Sequence, residues 1–260
     1  DLFVEVDGTK FTTKDATPDD VALKLRGPGG SKVGVVMERN GQTLDFILTR
    51  EAIKISSVRS YMSPTPVSGQ KVGVVRIKSF SGTTADTVAE KLAELKKKGA
   101  TAYVIDLRGN PGGLLPGGVG TASLFLEQDK PIVFVVSKTG VADSQLSLAN
   151  GMETDAPMVV LVDANTASAA EVFTAAMKEN DRAVVAGEQT FGKGVVQTIR
   201  GLSDNNGGVA ITVARYETPQ HNNINKQGIP VNVPTSVDCP KDNAVACLNS
   251  NVAFKAPKKS

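Results

Sequence analysis

Tryptophan is absent from this 260-residue chain, histidine occurs once and cysteine only twice. Each scarcity narrows what the protein can do. With no Trp and aromatics at 5%, neither base stacking nor an interfacial aromatic belt is a central device. A lone histidine argues against a Cys/His zinc site. It also leaves a Ser-His-Asp triad a single candidate, His221, whose polar loop Thr218-Pro219-Gln220-His221-Asn222-Asn223 reads as surface. Charge of one sign is lacking too: 29 basic and 27 acidic residues give a net +2, with no footprint for nucleic acid. The one basic run, Lys96-Lys97-Lys98, closes a helical pattern, where cations favour the helix end. Long hydrophobic runs are missing as well. Val133–Val136 and Met158–Val162 are far too short to span a bilayer. There is no signal peptide, and residue 1 falls in a strand-like run, Leu2-Phe3-Val4-Glu5-Val6, so the natural start is expected upstream. Cys239 and Cys247 lie close together in a Pro/Asn/Asp-rich tail. A local disulfide, suited to an oxidising compartment, and two free thiols are equally open.

What is present has a clear order. Residues 1–55 read as a small β-rich unit: strand 2–6 with a turn at Asp7-Gly8, a short helix at 18–26, and strands 33–39 and 43–50 joined at Asn40-Gly41, a strong hairpin signal. Residues 56–70, with Ser63-Pro64-Thr65-Pro66, read as a linker. From residue 71 strands alternate with helices. Strands are expected at 72–77, 102–107, 132–136, 158–162 and 183–186, and helices at 83–98, 117–126 and 167–179. That alternation predicts an α/β fold with a mainly parallel sheet covered by helices. Val195–Ile199 and Val209–Tyr216 flank a Gly-rich turn and read as an antiparallel pair.

Ligands in such sheets gather beyond the carboxyl ends of the strands, and three of those ends are unusual. Asp106-Leu107-Arg108-Gly109-Asn110-Pro111-Gly112-Gly113 can turn backbone N–H groups outward toward an anion, or can be a flexible turn. In Asn165-Thr166-Ala167-Ser168-Ala169-Ala170-Glu171, Ser168 stands where a helix begins. An N-cap is the plain reading; the functional one is a nucleophile whose alkoxide is favoured by the helix dipole, with the Ala169 amide available to an oxyanion. In Thr190-Phe191-Gly192-Lys193-Gly194, Lys193 is either an exposed turn residue or an amine drawn inward, where desolvation suits it to accept a proton. Gly187 to Lys193 also fits seven positions of a phosphate loop. The eighth is Gly194, not Ser or Thr, and a strand-like run follows in place of a helix.

Together, in this order and spacing, the three segments resemble the carboxyl-terminal processing peptidases, or tail-specific proteases. Ala214-Arg215-Tyr216-Glu217-Thr218-Pro219 and Asn225-Lys226-Gln227-Gly228-Ile229-Pro230 follow the family as well, so the likeness covers 71–235. It implies a ClpP/crotonase-like protease core that uses a Ser-Lys dyad. Ser168 would be the nucleophile, Lys193 the general base, Gln197 the residue orienting the amine, and the amides of Gly113 and Ala169 the oxyanion hole. Where many relatives carry a second Ser, this chain has Ala170. Residues 1–55 resemble the later part of a PDZ domain, through Val6-Asp7-Gly8, Leu25-Arg26-Gly27 and Leu48-Thr49-Arg50-Glu51, with its peptide-gripping early part absent. The resemblance implies no metal or cofactor, a protein substrate with a free carboxyl-terminal extension, no stable membrane insertion and a monomer. The tail, residues 236–260, resembles that of photosynthetic members, which trim a precursor of a photosystem II reaction-centre protein. The thylakoid lumen of the chloroplast is the compartment this implies, with the bacterial periplasm as alternative. The rival function is a non-catalytic, PDZ-containing peptide-binding scaffold.

Overall fold

The computed structural model describes residues 1–11, 16–51, 56–64, 66–67, 69–203, 207–235, 240, 243–248 and 254. Two compact units divide the chain, Asp1–Ile55 and Ser56–Ser260. In the first, strands β1 (Leu2–Val6), β2 (Thr9–Lys10), β3 (Lys32–Arg39) and β4 (Gln42–Thr49) form an antiparallel sheet in the order β2-β1-β3-β4. Both hairpin turns, Asp7-Gly8 and Asn40-Gly41, have positive φ at each residue, the conformation that matches the strand twist. Helix α1 (Pro18–Leu25) opens on a Thr17/Asp20 capping box with Pro18 in its first turn. The small core is Val6, Val33 and Val35. Arg50 donates to the carbonyls of Lys24, Leu25 and Lys32, tying the end of α1 to the sheet.

The second unit is built on a six-stranded sheet, β14-β11-β10-β7-β6-β5. Its strands are β5 (Val58–Met62), β6 (Val72–Ile77), β7 (Ala102–Asp106), β10 (Met158–Val162), β11 (Val184–Gly187) and β14 (Val233–Pro234). All neighbours are parallel except β5, which runs antiparallel to β6. Residues 56–70, expected as a linker, therefore contribute an edge strand. Tyr61 and Met62 are half-buried there, an apolar signal that the surrounding prolines masked. Helices α2 (Thr84–Lys97), α3 (Leu115–Ser123) and α4 (Ala169–Glu179) pack against one face. Alternation along the strands decides which side chains they meet: Val75, Ile77, Tyr103, Ile105, Met158, Val160 and Val162 face the helices, whereas Val72, Val74, Val104, Val159 and Leu161 face away.

That second face is closed by the carboxyl-terminal segment. A 3₁₀ turn at Ala244–Cys247 places Ala244 and Val245, with Leu248 and Phe254, against it. Expectation had helices covering the sheet; on this side the tail contributes to the cover. Cys239 lies outside the described residues, as does the Cys247 side chain, and with them the proposed pairing.

Residues 132–136, expected to join the alternating series, instead form β8 (Pro131–Ser137) of a separate antiparallel sheet, β12-β13-β8-β9. Its other members are β9 (Gly140–Leu146), β12 (Val195–Gly201) and β13 (Gly208–Glu217). β9 has no apolar alternation because its face is exposed, so its sequence carries little strand signal. The antiparallel pairing of β12 with β13 is as the sequence suggested.

Candidate active site

The three unusual loops follow β7, β10 and β11, adjacent strands of the parallel sheet, so topology alone brings them to one edge. The middle loop carries Ser168. It is the N-cap of α4 and has φ 57° and ψ −122°, a backbone conformation that costs an L residue about 1–3 kcal/mol. A serine forced into a sharp strand-to-helix turn is the geometry that presents a hydroxyl for attack. Two contacts over-determine the turn. Ser168 N–H donates to Glu171 Oε2 at 2.8 Å, and Ala167 N–H to the Asn110 carbonyl at 2.9 Å. Behind it α4 is buried from Ala169 to Met177.

The first loop closes on the second through glycine. A Cβ on Gly112 would stand 2.7 Å from both Ser168 Cβ and the Ala167 carbonyl oxygen; only a bare Cα fits. Gly113, at φ 134°, lies against Phe80, whose carbonyl oxygen would be 2.1 Å from an added Cβ. Phe80 N–H donates to Gly112 O, and Leu114 N–H to Phe80 O, which leaves the Gly113 N–H out of the ladder. Among the described residues neither the Gly113 nor the Ala169 N–H has a hydrogen-bond acceptor. Two unclaimed amides beside a half-buried serine are what an oxyanion requires. Asp163 pins the two loops together, its Oδ1 accepting from Gly109 N–H and Asn165 N–H.

The third loop is joined to the second by a residue to which the sequence reading gave no role. Glu171 is fully buried, and its carboxylate accepts from Ser168 N–H, Thr190 Oγ1, Gly192 N–H and Lys193 N–H at 2.6–2.8 Å. One side chain thus holds the serine turn and the lysine loop in register. Its signal was present as Ser168-x-x-Glu171, a capping-box spacing. Thr190 stood in the lysine segment, but nothing local marked it as a partner of Glu171.

Lys193 does not lie where an inward-drawn base was expected. It is exposed, and among the described residues no hydrogen bond joins its amine to Ser168. The physical reason is that the loop is anchored through its backbone. Gly192 and Gly194 pack against the main chain at 225–228 so closely that a Cβ on either would fall within 2.9 Å of a backbone nitrogen. The side chain between them makes no such contact. The backbone is nonetheless near: two nitrogens each 2.8 Å from Glu171 Oε2 lie no more than 5.6 Å (2 × 2.8 Å) apart. Gln197 is exposed on β12, and its Nε2 is 3.5 Å from Thr212 Oγ1 instead of meeting Lys193. His221 is a surface residue stacked on Phe134, with Nδ1 3.1 Å from Glu217 Oε2. Lys193 leads through Gly194 into strand β12, not into the helix a phosphate loop needs.

The model of peptidase family S41 matches residues 71–235. The chain belongs to that family. This S41 chain is 41% identical over 232 residues to the carboxyl-terminal-processing protease of Synechocystis, covering 88% of the chain and 53% of that relative. It is 37% identical over 251 residues to the chloroplastic carboxyl-terminal-processing peptidase 2 of Arabidopsis thaliana, covering 95% and 48%. Among solved structures, the photosystem II D1 C-terminal processing protease superposes with a TM-score of 0.67 at 34% identity, covering 96% of this chain and 67% of that one. An S41 protease of Bacteroides fragilis, with a TM-score of 0.63 but 14% identity, shares the fold. The chain spans about half the length of the curated relatives it matches. Among the described residues, no helix is long and apolar enough to cross a membrane.

Proposed function

We propose that this chain carries the core of a serine endopeptidase that cleaves protein substrates near a free carboxyl terminus, with Ser168 as nucleophile and Lys193 as general base. The observation that carries the reading is the strained Ser168 at the start of buried α4, beside the two unclaimed amides of Gly113 and Ala169. In this reading the Lys193 amine takes the hydroxyl proton as Ser168 Oγ bonds to the scissile carbonyl carbon. The carbonyl oxygen, now negative, is met by those amides. The C–N bond breaks, the amine leaves with the proton, and water then releases the acyl group from Ser168. Because glycine packing fixes the loop backbone, the Lys193 amine reaches Ser168 by side-chain rotation, a distance within the span of its four-carbon stem. Gln197 would leave Thr212 to orient that amine.

The names of the relatives, chloroplastic carboxyl-terminal processing and photosystem II D1 C-terminal processing, support a carboxyl-terminal extension of a photosystem II protein as substrate and the chloroplast as compartment. The thylakoid lumen within it is the finer reading that the sequence resemblance implies. Residues 1–55 would form part of a PDZ-like domain that presents it. Leu114 (57% exposed) and Phe191 (64%) are held at the backbone by Phe80 O and Thr166 O. They supply apolar surface at the edges of the two flanking loops for residues around the scissile bond. The exposure of Lys193 is the one observation that favours a non-catalytic, peptide-binding scaffold. Peptide hydrolysis separates the two. In the full-length protein, Ser168→Ala and Lys193→Ala should each lower the rate by about 10³-fold or more. Near-normal cleavage by either variant removes that residue from its role.

A further inference from the structure

Beyond the dyad and its oxyanion donors, the near end of the Gly113 loop, where it leaves β7, is held by a buried ionic cluster that reaches into the carboxyl-terminal segment. Asp106, the last residue of β7, is 1% exposed. Its Oδ1 accepts from Arg108 N–H at 3.1 Å and Arg108 Nε at 2.9 Å, and its Oδ2 from Arg108 Nη2 at 2.8 Å and Arg76 Nη1 at 2.6 Å. Arg108 is 8% exposed. Its remaining terminal nitrogen, Nη1, donates to the carbonyl of Pro240 at 2.9 Å, a residue 132 positions later. Shortly after Pro240 the chain enters the 3₁₀ turn that buries Ala244, Val245 and Leu248 on the second sheet face, where Ala244 N–H donates to Tyr61 Oη at 3.2 Å.

We propose that Arg108 is a positioning residue for the oxyanion loop, and that the Pro240 carbonyl makes the carboxyl-terminal segment part of its support. Bidentate Arg–carboxylate pairing fixes direction as well as charge. The guanidinium fork locks onto Asp106 with two nitrogens while the third reaches Pro240. A lysine can keep the charge but cannot hold all three directions. From Arg108 the loop runs through Asn110, whose side chain donates to Ile77 O and accepts from Gly112 N–H, to Gly113. Arg108 and the Asn110 cross-link are thus the near and middle anchors of a loop whose last amide must stay within tenths of an ångström of place. Oxyanion donors act in the transition state far more than in the ground state. Loss of the Arg108 anchor should therefore lower kcat and leave KM nearly unchanged.

The inference rests on reading Gly113 as an oxyanion donor, so the first readout does not depend on activity. In the full chain, Arg108→Lys should speed amide hydrogen exchange across residues 109–114 by about tenfold or more, with β10 and α4 unchanged. Ending the chain at Thr235 should raise it by a smaller factor, because Arg108 keeps its fork on Asp106, and the shortened chain carrying Arg108→Lys should exchange within about twofold of full-length Arg108→Lys. Should the shortened chain fail to fold, Tyr61→Phe in the full chain loosens the segment by removing the acceptor of Ala244 N–H. It should raise exchange in 109–114 by a smaller factor. Unchanged exchange in the loop, or a rise spread evenly over the unit, overturns the proposal, as do independent, multiplying effects of the two changes. In the full-length enzyme, Arg108→Lys should lower kcat by about 10–100-fold with KM within about twofold. A KM effect alone overturns the catalytic part. Failure of the oxyanion reading itself shows separately, as unimpaired catalysis by Gly113 variants despite an intact loop response.

Discussion

At the residue scale, glycine and one buried glutamate decide how the Ser168 turn is held. Gly113→Ala should lower kcat by about 10²-fold or more, because the added Cβ meets the Phe80 carbonyl oxygen and pushes the proposed oxyanion donor out of place. Steady-state kinetics on the full-length protein would read this as a kcat effect. Glu171→Gln presents an amide NH₂ where a carboxylate accepted from four donors. It should cost about 3 kcal/mol in urea denaturation and should impair catalysis in the same protein. These two residues also mark the limit of what the sequence shows. The glycines of Asp106–Gly113 announce themselves because few loops are so rich in them. Glu171 looks like an ordinary capping residue, since its other partners, Thr190, Gly192 and Lys193, come from a loop about twenty residues away. Lys193 between two glycines reads as an exposed turn residue or an inward-drawn amine, and neither reading shows that those glycines seat the backbone against 225–228.

Among the elements, α4 links core and chemistry. Its alanines let it approach α3 so closely that a Cβ on Gly118 would stand 2.9 Å from the Ala169 carbonyl oxygen. Its Phe173 ring packs 6.3 Å from Phe80 and 6.0 Å from Phe125. Phe173→Ala should cost about 3–5 kcal/mol. By freeing Phe80, against which Gly113 lies, it should also lower kcat more than its stability loss alone explains at temperatures where the protein remains folded. Thermal unfolding combined with kinetics at low temperature separates the two effects. Strands β6, β7, β10 and β11 were legible from their apolar runs, and α2 from its helical pattern over 83–98, whose Thr84, Val88, Leu92 and Leu95 turn out to be buried; two-residue β14 carried no such signal. Strand β5 was hidden by prolines beside it. β9 was hidden by an exposed polar face, and the role of the tail by the lack of any regular period in Ala244–Leu248.

On the scale of the whole molecule, the second unit is a family S41 core in which three adjacent parallel strands deliver the Ser168 turn, the Lys193 loop and the Gly113 loop to one end of the sheet. Under the proposed dyad, the exposed Lys193 side chain has to swing toward Ser168, while Glu171 holds the two backbones together. The measurement that tests this most directly is peptide mapping by mass spectrometry of the full-length protein, quenched in acid during turnover of a peptide ester. The account predicts an acyl adduct on Ser168 that is absent in Ser168→Ala and forms much more slowly in Lys193→Ala. Turnover with no adduct, or an adduct carried by a different residue such as Thr166, would contradict it.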